Sequence, residues 1–251
     1  MLRAGVIFDQ PGLSPAYCSM TVSMKVLLLL LLLPAAFTAT AQTRLNTGLK
    51  RELDSIYAVD QRWRSMLFDR RIGQNADSLA RALGVTRESL PSYLSRRMLQ
   101  TDSANQVRLR AILKQYGYPG KSLVGEPTNE AAWYVIQHSE DIDRYLPLIK
   151  KAAHKGELPF YLYAQMLDRQ LIREGKEQLY GTQAMGYNIT NPATGRREAQ
   201  RPFVWPIKDA RQVNERRKKA GFPTTVEQNA AILGIPYRVV TLDDVAKMPK
   251  N

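Results

Sequence analysis

The chain has 251 residues, 44% of them hydrophobic and 24% charged, with one cysteine, Cys18, and two histidines, His138 and His154. That balance is ordinary for a folded protein and excludes a disordered, collagen-like or disulfide-built chain. The formal charge of +13 points to anionic partners or to a solvated basic surface.

Met24-Lys25 is followed by Val26, a leucine run over 27–33, Pro34 and an Ala39-Thr40-Ala41 ending. A positive residue, a short apolar core and a small-residue ending have the layout of a cleaved secretory signal peptide over 24–41. The run is shorter than the ~20 apolar residues a membrane-spanning helix needs, so no stable span is expected after cleavage. Residues 1–23 read as an over-extended start or a long leading region. Cleavage after Ala41 removes Cys18, and with it any disulfide or thiolate chemistry. It also removes Arg3, Lys25 and Asp9, leaving 34 Lys/Arg against 22 Asp/Glu, a net +12. Half of that excess lies in 196–219, with nine basic and three acidic residues. For an exported chain this favours a polar or anionic ligand, such as an envelope component, over nucleic acid. Residues 42–251 are enough for one mainly helical domain with its own core.

Leu49, Leu53, Ile56, Tyr57, Trp63 and Leu67 recur at helical spacing and predict a helix over Thr47–Phe68. Asp60 falls on that apolar stripe, with Arg64 one turn later. The two form either a pair at the stripe's margin or a carboxylate aimed into a site. A short helix follows at Ala76–Leu83, stopped by Gly84, and another at 90–99 with Pro91 in its first turn. Ser103 and Gln106 form a capping-box pattern before a helix ending at Tyr116, which Gly117 closes. Residues 117–125 are a glycine-rich connector. Its Gly120-Lys121-Ser122 resembles the end of a phosphate loop, but the first glycine and the following segment do not fit that motif.

Thr128 is placed to cap a helix over 129–139, with His138 at the end of its apolar face. A helix over 144–155 has Pro147 near its first turn and His154 in its last, where the helix dipole suits an imidazolium. A helix over 159–174 carries Asp168 on its apolar stripe, while Arg169 points about 100° away. After Gly175 the pattern becomes strand-like, over 179–182 and 186–190. Asn191-Pro192-Ala193-Thr194-Gly195 reads as a hairpin turn, with 199–207 returning. Asp209, with Gln212 three residues on, is placed to cap a basic helix ending at Ala220. Thr224 and Glu227 repeat that pattern for a helix over 225–233. Residues 237–240 read as an edge strand, and the tail as frayed. The predicted fold is mainly α: a helical bundle with a small β-hairpin insertion in the C-terminal third.

Several pieces form a larger pattern. They are Asp60-Gln61-x-x-Arg64, Gly117-x-Pro119-Gly120-x-Ser122-x-Val124-Gly125, and Ala131-Ala132-Trp133 running into Gln137-His138. Leu167-Asp168-Arg169, Tyr180-Gly181-Thr182-Gln183, and Pro206-Ile207-x-Asp209 leading to Asn214-x-x-Arg217 and Ala220-Gly221-Phe222 complete it. Together they resemble a bacterial family known as domain of unknown function 6624, over about 49–223. The resemblance implies a shared fold and a shared site, and no activity.

The chemistry these residues allow is narrow. No Gly-x-Ser-x-Gly elbow exists, and His138 is the one histidine placed for acid–base work. Asp168 is placed to orient it, with Thr182 or a water as nucleophile. Arg169, Gln178 and Gln183 suit an anionic or amide-bearing group. Two histidines sixteen apart without cysteine give no metal-ligand spacing, so neither metal nor cofactor is expected. An Asp60/Asp168/His138 metal set and an Asp60/Asp168 glycosidase pair are the weaker options. The expected pocket has Gln137, His138, Asp168, Arg169, Gln178, Tyr180, Gly181, Thr182 and Gln183 on one wall. Asp60, Arg64, Asp209, Asn214 and Arg217 stand opposite or behind. The leading reading is an exported protein binding a polar or anionic ligand. The alternatives are an envelope hydrolase using His138 and a structural module without an active site.

Overall fold

The computed structural model describes residues 44–68, 75–190, 193–195 and 197–248. The signal peptide expected over 24–41, the segment before it and part of the hairpin turn lie outside those residues. Helix α1 spans Thr47–Phe68, as its spacing predicts, and buries Leu49, Leu53, Ile56 and Trp63. Helix α2 is Ala76–Leu83, ended by the left-handed Gly84.

The two helices expected between residues 90 and 116 are one. Helix α3 runs unbroken over Leu90–Tyr116. Ser103 and Gln106 form no capping box, because a cap needs a non-helical residue and here the backbone N–H groups pair within the helix. Leu90, Leu94, Asn105, Leu109, Ile112 and Leu113 form one buried face across the predicted break. Asn105 Nδ2 donates to the Ile56 carbonyl at 3.3 Å, tying α3 to α1.

Short helix α4, Lys121–Val124, precedes a 3₁₀ turn over Thr128–Glu130 and helix α5, Ala131–Gln137. Thr128 does not cap. Its hydroxyl donates to Asp54 Oδ1 at 2.6 Å, fastening this turn to α1. Helix α6 is Ile142–His154 and starts earlier than predicted, which puts Pro147 inside the helix. His154 packs edge-on against Phe160, ring centroids 5.3 Å apart. Helix α7 is Phe160–Arg173. Helices α1, α3, α5, α6 and α7 share the main core, centred on Leu53, Ile56, Ile136, Ile149 and Met166. A satellite core at the far end of α1 joins Trp63, Ala80, Leu90 and Leu94.

Strands β1, Ala184–Thr190, and β2, Arg197–Val204, form the antiparallel hairpin, pairing Ala184 with Val204 and Gly186 with Pro202. Residues 179–182 are not a strand. They form an irregular loop that follows the isolated Gln178–Ile207 bridge. Asp209 has φ 47° and makes no side-chain cap, and a 3₁₀ turn over Ala210–Gln212 leads into helix α8, Val213–Lys219. The capping box of helix α9, Val226–Ile232, is Thr225 with Gln228, one residue later than predicted. Thr224 accepts from Arg217 instead. Residues 237–240 are not a strand, and the tail forms helix α10, Leu242–Ala246, capped by Thr241 and Asp244. A second core of Val204, Ile207, Val213, Val226, Ala230 and Ile235 holds this C-terminal third together. Among the described residues no helix is long and apolar enough to cross a membrane.

Candidate functional site

Asp60 lies on the buried stripe of α1 with only 1% of its side chain exposed. A carboxylate so placed needs donors, and it has three. Gln61 Nε2 donates to Oδ2 at 2.7 Å, Arg64 Nη1 to Oδ1 at 3.3 Å, and His138 Nδ1 lies 3.3 Å from Oδ1. Arg64 also grips Asp102 of α3, with Nη2 2.9 and 2.8 Å from its two oxygens. Asp102 was invisible in the sequence because it falls in the predicted break between two helices. The continuous α3 turns it toward α1.

His138 closes α5, just beyond Gln137. A carboxylate only accepts, so the neutral ring carries its proton on Nδ1 and presents the Nε2 lone pair outward. The side chain is 20% exposed, and Nε2 has no hydrogen-bond partner among the described residues. The residue that orients His138 is therefore Asp60. The expected Asp168–His138 pair does not form.

Asp168 is wholly buried on α7 and organises the 178–183 loop. Oδ1 accepts from the backbone N–H of Leu179 at 2.7 Å and of Tyr180 at 3.1 Å. Oδ2 accepts from the N–H groups of Tyr180 and Thr182 and from the Thr182 hydroxyl, at 3.0–3.1 Å. Burial pushes its carboxyl above the usual range, against the pull of those donors. Gln178, also wholly buried, works the same loop from the other side. Its Nε2 donates to the Gln183 and Trp205 carbonyls, and its Oε1 accepts from the Gln183 N–H. Gly181 turns the loop at φ 66°, where a Cβ would come within 2.6 Å of Val226 Cγ2. These groups hold the loop in shape.

Most of the expected opposite wall is structural too. Arg217, 1% exposed, donates to the carbonyls of Tyr180 and Thr224 and lies 4.4 Å over the Phe222 ring. Asn214 Oδ1 accepts from the Val226 N–H at 2.8 Å, at the start of α9. Asp209 is exposed, and among the described residues its carboxylate reaches only Arg216, at 4.0 Å. Tyr180 is half-buried, its ring 5.8 Å from Phe222. Burial, with Asp168 next, raises its phenol above the ordinary value.

Arg169 joins the two halves. Its Nη1 donates to the Gln137 carbonyl at 2.6 Å, meeting an acceptor orphaned at the end of α5. Its Nε lies 3.5 Å from Gln183 Oε1, a weak contact, and Gln183 Nε2 donates to the Thr182 hydroxyl. No carboxylate pairs with Arg169 among the described residues. Burial, with Arg173 next, lowers its pKa. Two polar chains thus meet at adjacent residues: one from Asp102 through Arg64 and Asp60 to His138, the other from the Gln137 carbonyl through Arg169 and Gln183 to Thr182 and Asp168.

One group has the composition of a metal site. Asp60, Asp102 and His138 each offer a ligand atom, all within 4.8 Å of one another. Asp168, expected in such a set, is not in it. Two carboxylates and an imidazole suit a divalent transition metal. Arg64 already bridges both carboxylates as a cation, so a metal would have to displace it.

A family model described as a family of unknown function, DUF6624, matches residues 76–238, well over half of the chain. The chain belongs to the DUF6624 family. The matched DUF6624 span contains Asp102, His138, Asp168, Arg169 and the 178–183 loop. Asp60 and Arg64, on α1, precede it. No curated protein and no solved structure is detectably similar.

Proposed function

We propose that this DUF6624 protein is exported and binds a polar, anionic ligand at the face formed by His138, Arg169 and Gln183. The observation that carries the reading is the state of Arg169. A largely buried guanidinium normally has a carboxylate partner, since an uncompensated buried charge is costly. Arg169 has only neutral oxygens, and burial lowers its pKa. An arriving carboxylate or phosphate supplies the missing charge. Nη2 of Arg169 is the donor left to meet it, and Nε2 of His138, an acceptor in this tautomer, takes a hydroxyl of the same ligand. Export rests on the layout of residues 24–41, and the envelope offers many such anions.

The Asp60–His138 contact favours a second reading, hydrolysis of an envelope component with His138 Nε2 as general base and a water as nucleophile. One experiment separates the two. Muropeptides and anionic glycans are titrated into wild type, Arg169→Met and His138→Ala, with turnover followed in parallel. Binding lost in Arg169→Met, without turnover in any protein, supports the binder. Turnover by wild type that His138→Ala abolishes, while keeping binding, supports the hydrolase. Equal binding by wild type and Arg169→Met defeats the proposed role of Arg169.

A further inference from the structure

A cavity of about 350 Å³ opens between the glycine-rich connector and the end of α6, and none of the candidate-site residues described above lines it. Its lining includes apolar surface from Leu148 and the aromatic ring of Tyr116, which is 39% exposed. It also includes Ser122, Lys151, Lys155 and Glu157. The two lysines are four residues apart, so their ammonium groups share one helical face. Neither has an ion-pair or hydrogen-bond partner among the described residues. The one carboxylate in the lining is engaged, as Glu157 Oε2 accepts from the Ser122 N–H at 2.8 Å. Gly120 makes that contact possible, because a Cβ there would collide with Glu157. The Ser122 hydroxyl has no partner among the described residues.

We propose that this cavity is a binding site for a small sugar bearing a phosphate or a carboxylate. The volume lies near the lower end of the ~300–1,000 Å³ typical of small-molecule pockets, which fits one ring rather than a polymer. Tyr116 and Leu148 offer apolar surface to the ring. Ser122 offers a hydroxyl to its hydroxyls, and Lys151 and Lys155 together neutralise the anionic group. The phosphate-loop likeness of Gly120-Lys121-Ser122 is not the basis, since Lys121 pairs with Glu126 at 3.1 Å.

The test is a set of titrations of the full chain followed by amide NMR shifts. The probes are glucose 6-phosphate, glucuronate, neutral glucose and inorganic phosphate. The expected result is saturable binding of glucose 6-phosphate, glucuronate or both, with shifts at Tyr116, Ser122 and Lys155. A sugar phosphate alone or a uronate alone identifies which anion the site takes. In Lys151→Gln/Lys155→Gln affinity falls about tenfold or more. Both positions are exposed, and an unchanged melting midpoint shows that the fold is kept. Arg169→Met leaves this binding intact, so its result is independent of the other face. The inference is overturned by no saturation of either anionic sugar below about 10 mM. Equal binding of inorganic phosphate and glucose 6-phosphate, or an affinity unchanged in the double variant, also overturns it.

Discussion

His138 Nδ1 lies 3.3 Å from Asp60 Oδ1, across 78 residues of sequence, and Asp60 is sealed while His138 reaches solvent. A buried carboxylate thereby sets the tautomer of a partly exposed imidazole. Asp60→Asn puts an amide in its place and weakens the hold of Arg64 and His138. The expected loss is about 1–3 kcal/mol in urea unfolding. Nitrogen NMR of the ring should show its proton moving from Nδ1 toward Nε2. An unchanged ring spectrum would mean that Asp60 does not set the tautomer.

Asp168 accepts from three backbone N–H groups and one hydroxyl. Asp168→Ala leaves those donors buried without an acceptor and opens a void. We expect a loss of about 3 kcal/mol or more. Hydrogen exchange should quicken at Leu179, Tyr180 and Thr182 before it does elsewhere. Uniform quickening would show that Asp168 supports the whole fold rather than this loop.

Gly181→Ala meets two penalties at once, φ 66° and a Cβ within 2.7 Å of Ile207 Cδ1. A cost of roughly 2–4 kcal/mol follows from strain and overpacking together. Denaturant midpoints of the variant and wild type measure it. A stability matching wild type would mean that the loop has room to shift away from α9.

Asp54 gives a pH dependence with a defined sign. Its partial burial raises the carboxyl pKa, but hydrogen bonds from Lys50 and Thr128 outweigh that and hold it below its ordinary value of 3.8. A depressed acid contributes stability above its unfolded pKa and loses that contribution as pH falls through the folded one. The contribution should fade below about pH 4. Melting curves of wild type and Asp54→Asn should therefore differ near neutrality and converge in acid. A gap that persists at low pH would assign the difference to packing.

Where a side chain's neighbours are close in sequence, the reading from sequence was good. Leu49, Leu53 and Ile56 placed α1, and the switch after Gly175 placed the hairpin. Predictions went astray where a local signal competed with a distant partner. Ser103 and Gln106 read as a cap, but the face joining Leu94 to Leu109 continues the helix through them. Thr128 has the chemistry of a cap and spends its hydroxyl on Asp54. At the candidate site the residue types were legible and their pairing was not. Asp168 and His138 each required a partner, and nothing local says that one takes loop N–H groups and the other takes Asp60. Asp102 left no signal, because its role exists only when α1 and α3 lie side by side.

The unbroken course of α3 has a mechanical consequence. At 27 residues it is a rod of about 40 Å, with Leu90 and Leu94 seated under Trp63 at one end and Ile112 and Leu113 in the main core at the other. Asp102 sits near its midpoint, holding Arg64. A rod packed at both ends leaves its middle little freedom to swing. The cores around Trp63 and around Ile112 therefore fix where the Asp102 carboxylate stands, and with it the Arg64 guanidinium that Asp102 shares with Asp60.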